Sequence, residues 1–214
     1  MNFIVSRIKI FLLVFFILCS LSISPCITES VYGEESHIFL VNKSIDARDA
    51  IQIVARAAKL NVLYWPGLNE KIAVNIYDVT ADKALSLIGS KCMYSVVAFD
   101  SQSNLKLFVP MSKARDIKRQ IDSYSHITDN KQKSTTIKNR NMPLIFSLKM
   151  IAKAAKINLS IEGTARKKLN ETAGAMELKD VYPLTVIKAI CIMNQLELFS
   201  TDNRDNDQLN LVIR

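Results

Sequence analysis

One stretch of the chain is written twice, and it limits the available folds more than any other feature. Val54-Ala55-Arg56-Ala57-Ala58-Lys59-Leu60-Asn61-Val62-Leu63 returns as Ile151-Ala152-Lys153-Ala154-Ala155-Lys156-Ile157-Asn158-Leu159-Ser160. A second anchor follows each copy: Tyr77-Asp78-Val79 with Ala84-Leu85-Ser86-Leu87-Ile88, against Lys179-Asp180-Val181 with Val186-Ile187-Lys188-Ala189-Ile190. Each copy reads as the end of an amphipathic helix running into a strand, then a strand running into a second helix. A duplicated α+β module of about eighty residues is the simplest chain with that pattern, and a unit so small buries only a limited core.

Ahead of the repeat, Arg7 and Lys9 precede the apolar run Ile10 to Leu18, which is shorter than a spanning helix needs. The pattern over residues 1–30 is that of a signal peptide, with an uncleaved anchor as the alternative. Cys19 and Cys26 raise a lipid-modified N-terminus, but Leu18 and Pro25 are poor residues to precede such a cysteine. Membrane association is expected only if this segment stays uncleaved or lipidated. Cys92 and Cys191 remain beyond it. They fall in different copies and read as buried free thiols, since an unpaired cysteine packs as a small hydrophobe. The formal charge of +8 reads as a basic solvated surface, with anionic lipid, peptidoglycan or an acidic protein as the partners it would suit. An exported chain seldom meets nucleic acid, so no nucleic-acid role is expected.

In the first copy (37–111), His37 to Val41 reads as a strand and Asn42 to Asp46 as a turn, with Asp46 capping a helix that ends near Lys59 or Leu60. Asn61 to Trp65 is a strand stopped by Pro66-Gly67. Lys71 to Tyr77 alternates as a half-buried strand. Thr80 caps a second helix that stops near Gly89, and Tyr94 to Phe99 with Leu105 to Val109 form a hairpin. Residues 112–133 belong to neither copy: a short helix with Ile117, Ile121 and Tyr124 on one side, then a polar, flexible linker. In the second copy (134–214), Thr135 to Asn139 is the first strand, Asn141 the cap of a helix with Pro143 in its first turn, and Ile157 to Ile161 the next strand. Glu162 to Asn170 reads as a charged connection and Thr172 to Leu178 as a poor strand. Pro183 opens the last helix, and Leu196 to Ser200 with Gln208 to Ile213 close the chain as a hairpin. Each copy is thus β-α-β-β-α-β-β with two helices on small sheets, an α+β class.

In this order the sequence resembles the secretin and TonB N-terminus short domain. Asp46-Ala47-Arg48-Asp49-Ala50-Ile51, Leu60-Asn61-Val62, Ile72-Ala73-Val74-Asn75-Ile76, Asp78-Val79-Thr80 and Ala84-Leu85-Ser86-Leu87-Ile88 carry the resemblance in the first copy. The second copy departs from it: Phe146 stands where an acidic residue is expected, and the strand after Glu171 is irregular. The resemblance implies a periplasmic, ring-forming or partner-docking role in envelope machinery. It also implies partners among secretin-like or secretion-system subunits, and it leaves homo-oligomers open. Residues 37–214 show neither a long β-rich pore segment nor the pattern of a TonB-dependent barrel. The expectation is therefore a non-enzymatic accessory component of an outer-membrane secretion or type IV pilus system. A periplasmic regulator relaying receptor state is the alternative.

Catalytic constellations are not evident. His37 and His126 have no Cys, Asp or Glu at ligand spacing and read as solvated side chains. Five scattered glycines build no phosphate loop, and no Gly-x-Ser-x-Gly elbow occurs. The acidic run Asp202 to Asp207 lacks the glycine and closing glutamate of a calcium loop and reads as a hairpin tip. No cofactor and no metal are expected. The candidate docking residues are Trp65 and Leu68, in Trp65-Pro66-Gly67-Leu68, and Arg115 and Arg119, on the basic side of the linker helix.

Overall fold

The computed structural model describes residues 37–128, 133–201 and 209–214. The expected signal segment, most of the polar run from Asp129 and the acidic hairpin tip lie outside the described residues.

The first helix forms where capping and periodicity agree. α1 (Ala47–Ala57) starts at Asp46, whose carboxylate accepts a hydrogen bond from the Arg48 N–H at 2.9 Å. Asp49 and Arg56 complement the two ends of the helix dipole, and Ala47, Ala50, Ile51, Val54 and Ala55 form the buried stripe. Lys59 then turns left-handed at φ 53° and feeds β2 (Asn61–Tyr64). The same device closes α4 (Leu144–Ala154), where Lys156 has φ 57° before β7 (Asn158–Ile161).

The remaining strands, and the helix that follows the third strand, recur in a common order. β1 (His37–Asp46) pairs antiparallel with β3 (Lys71–Thr80), which leads through the Thr80 cap into α2 (Ala81–Lys91). β4 (Tyr94–Asp100) and β5 (Leu105–Pro110) are antiparallel, and β2 joins β5 in parallel, giving the order β2-β5-β4. In the second copy β6 (Thr135–Pro143) pairs with β8 (Ala173–Val181), α6 (Pro183–Met193) follows, and β9 (Leu198–Thr201), β10 (Asn210–Ile213) and β7 form the order β7-β10-β9. Left-handed residues match too: Asp78 with Asp180, and Met93 with Gln195. The class is α+β; the first half runs β-α-β-β-α-β-β, and the second adds one helix between its second and third strands.

Several boundaries differ from the sequence reading. Asn42 to Asp46 is not a turn but the bulged end of β1, whose register shifts between Asn42 and Ile45. The Asn42 side chain accepts from the Ser44 N–H at 2.9 Å, so turn chemistry serves a bulge. β6 likewise runs to Pro143 with a shift between Asn139 and Met142, so Asn141 lies in the strand and α4 begins at Leu144. Glu162 to Asn170 is no open connection. It forms α5 (Gly163–Glu171), held by buried Ala165 and Leu169 one helical turn apart. Gly89 does not stop α2; a Cβ there would lie 2.7 Å from the Tyr94 carbonyl oxygen, so glycine permits close approach of helix and strand.

Between the copies, the linker opens with a 3₁₀ turn (Met111–Lys113) and α3 (Ala114–Ser123), with Ile117, Tyr124 and Ile127 buried and Ile121 packed beside them. The Tyr124 hydroxyl donates to the Leu196 carbonyl at 3.0 Å and accepts from the Leu198 N–H at 3.0 Å. The Lys188 ammonium donates to the Tyr124 carbonyl at 2.7 Å and to that of Ile127, at the C-terminal end of α3. Burial presses its pKa down, opposed by the charge of Asp100.

The core does not divide at the linker. One cluster sits inside the first copy, around Ile51, Val54, Leu85, Ile88 and Phe108. The other holds the second copy's interior, the linker helix, and Leu63, Val97, Leu105, Leu107 and Val109 from the first copy's sheet. That sheet is therefore covered on both faces. Equivalent positions show what covers it. Leu63, Leu105, Leu107 and Val109 are buried, while their counterparts Ser160, Asn210, Val212 and Arg214 are exposed or half-buried. On the facing element, Leu184, Ile192 and Met193 of α6 are buried where α2 has exposed Asp82, Ser90 and Lys91. The fold is the same, so the difference marks a copy-to-copy interface. Each aliphatic side chain taken from water there contributes roughly 1.5–3 kcal/mol.

Candidate partner-docking site

The four residues singled out from the sequence do not converge. Leu68 is fully buried in the first copy's core at 0% exposure and offers nothing to a partner; the turn after Pro66-Gly67 folds it inward. The Trp65 side chain is half-buried against the junction core, so it caps packing as much as it presents surface, and its backbone N–H donates to the Phe108 carbonyl at 2.8 Å. Arg115 and Arg119 are exposed on α3, with Asp116 3.8 Å from the Arg119 guanidinium, which interrupts the basic face.

His126 is exposed, as a solvated histidine should be, but His37 is not without a partner: its Nδ1 lies 2.7 Å from Asp78 Oδ1. Cys92 and Cys191 are free and buried. Burial pushes the Cys191 thiol up to about 12. Burial, aided by a hydrogen bond and charge from Glu70, pushes Cys92 up to about 11. At such values neither is an activated nucleophile. Among the described residues no group of three or more His, Cys, Asp or Glu is placed to hold a metal ion, and no helix is long and apolar enough to cross a membrane.

The concave feature that sequence reading missed is a cleft of about 670 Å³ where the two copies meet. Its walls come from one side of α1 (Gln52, Arg56), Lys59, β2, the β4–β5 turn (Gln102 to Asn104), and β6 and β8 (Lys138, Met176, Glu177, Lys179). Asn61 closes one end. Its side-chain N–H groups donate to the carbonyls of Ser103 at 2.7 Å and Lys179 at 2.8 Å, and its Oδ1 accepts from the Lys179 N–H at 2.8 Å. The Asn61 amide thus completes the free edge of β8 as a backbone peptide would. Its counterpart Asn158 is exposed, and its side-chain amide donates to Asn210 Oδ1 at 2.8 Å.

Electrostatics of the cleft are basic. Glu177 lies 3.1 Å from Lys138 and 4.0 Å from Arg56. The Lys138 hydrogen bond and charge hold its carboxyl below the usual range. Lys59 and Lys179 make no ion pair among the described residues. The Tyr64 phenol is raised by burial, offset in part by a hydrogen bond with Gln52 and the charges of Arg48 and Arg56. Ser103 Oγ is buried in the cleft wall with no hydrogen-bond partner. These groups can hold a carboxylate and main-chain amides; they supply no paired nucleophile and base. A second exposed feature is the apolar strip Phe39, Val41 and Tyr77 on the outer face of β1 and β3, each more than half exposed. No protein-family model matches the chain, and no curated protein matches it.

Proposed function

We propose that the chain is an exported, non-enzymatic protein-interaction component of a bacterial envelope assembly, an accessory of a secretion or pilus apparatus of the secretin kind. The observation that carries this reading is the docking of two like-folded modules into one body that leaves strand edges and a basic cleft accessible. Small sheets with free edges recruit partners by adding a strand. The buried thiols and the lack of a nucleophile–base pair in the cleft favour binding over bond-making. The repeat, the leader pattern and the resemblance of the first copy support placement in the periplasm. In vivo crosslinking of the tagged chain, followed by identification of captured proteins, tests this. Recovery of secretin or secretion-system subunits is the expected result; recovery of cytoplasmic proteins alone would overturn it.

A further inference from the structure

We propose that the cleft between the copies receives an extended, acidic peptide segment of a partner protein, inserted as a strand beside β2. The proposal rests on the interaction reading above and names the ligand of one site. Its first support is the backbone. Among the described residues β2 pairs only with β5 and β8 only with β6, so each offers a free edge to the cleft. Asn61 N–H and Trp65 N–H point toward the β5 side, donating to the carbonyls of Asn104 at 3.0 Å and Phe108 at 2.8 Å. Strand alternation therefore turns the N–H and C=O of Val62 and Tyr64 to the open edge. On the opposite wall Lys179 directs its N–H and C=O at the Asn61 amide. The Asn61 contact with Lys179 already fills one rung of this pairing with a side-chain amide, and the cleft continues from that established interface.

The second support is charge. Arg56, Lys59, Lys138 and Lys179 face Glu177 and Asp180 in the cleft, and Glu177 is shared by Lys138 and Arg56. Lys59 and Lys179 are exposed cations with no ion pair among the described residues, so acidic side chains on the incoming strand complete the set. A second copy of this chain is the wrong occupant, because it brings a formal charge of +8. It also lacks the matching faces: Asn210, Val212 and Arg214 would meet Asp82, Ser90 and Lys91 in place of the aliphatic pairs that dock the two copies.

The test is fluorescence anisotropy of the purified chain with a labelled eight-residue peptide that alternates Glu with Val or Thr. Comparators are the same peptide with Lys for Glu, and the Glu peptide N-methylated at alternate residues. The expected result is saturable binding of the Glu peptide, weakened at least tenfold by Lys for Glu, by N-methylation, and by Lys59→Glu with Lys179→Glu. Lys113→Glu with Lys118→Glu, on the 3₁₀ turn and α3, removes the same charge elsewhere and should change affinity less than threefold. Equal weakening by both charge-reversal pairs, no loss on N-methylation, or no binding of the Glu peptide would each overturn the cleft assignment. Such a failure is separable from failure of the interaction reading, because crosslinking partners in vivo is scored without reference to the cleft.

Discussion

Leu107→Ala probes the copy-to-copy interface most sharply. Leu107 lies in β5 on the face turned away from its own helices and is 0% exposed. If the first copy stood alone, this side chain would be at the surface, where substitutions change stability by no more than about 0.5 kcal/mol. In the docked arrangement the change deletes a fully buried leucine and leaves a cavity, which costs about 2–5 kcal/mol. A chain of this size has a total stability of about 5–15 kcal/mol, so the loss should be plain. Val212→Ala at the equivalent, half-buried position is the internal control and should cost less than about 1 kcal/mol. Urea unfolding followed by tryptophan fluorescence reads both, since Trp65 is the sole tryptophan and packs against the junction core. A Leu107→Ala effect no larger than that of Val212→Ala would refute the docked sheet.

Other outcomes follow from the same contacts. Asn61→Ala breaks three buried or part-buried hydrogen bonds and should cost about 2–4 kcal/mol in denaturant unfolding; exposed Asn158→Ala should cost less than about 0.5 kcal/mol. Gly89→Ala usually stabilises a helix, but here the added methyl meets the Tyr94 carbonyl, so Tm should fall; a rise would show that strand β4 gives way. Both thiols have raised pKa values in the fold, so their neutral forms stabilise it fully below the unfolded value of 9.0. That contribution is lost as pH climbs from 9 toward about 11 for Cys92 and about 12 for Cys191. Stability measured from pH 8 to 11 should therefore decline, and a Cys92→Ala, Cys191→Ala chain should decline less steeply; parallel profiles would contradict the assignment.

Much of this fold was legible because periodicity and caps agree. Asp46 and Thr80 cap as their residue types suggest, and Ile51, Val54 and Ala55 define the helix face that is buried. The errors have physical causes. Asn42-Lys43-Ser44 carries turn chemistry that the fold spends on a β-bulge. α5 has only Ala165 and Leu169 to bury, too short a stripe to stand out among its lysines. Leu68 looked exposed because it follows Pro66-Gly67, although the turn returns it to the core. The interface was also written in the sequence, but only in the differences between copies: Leu184, Ile192 and Met193 replace Asp82, Ser90 and Lys91. Reading each copy by itself hides that signal. The cleft was harder still, since Arg56, Asn61, Lys138 and Lys179 come from segments that meet only once the copies dock.

The docking itself is tested most directly by scanning calorimetry of the purified chain. Shared burial of the first copy's sheet by the second copy's helix predicts one transition in which the calorimetric and van't Hoff enthalpies are equal. Two resolved transitions, each accounting for one copy and neither moved by Leu107→Ala in the other's half, would contradict it.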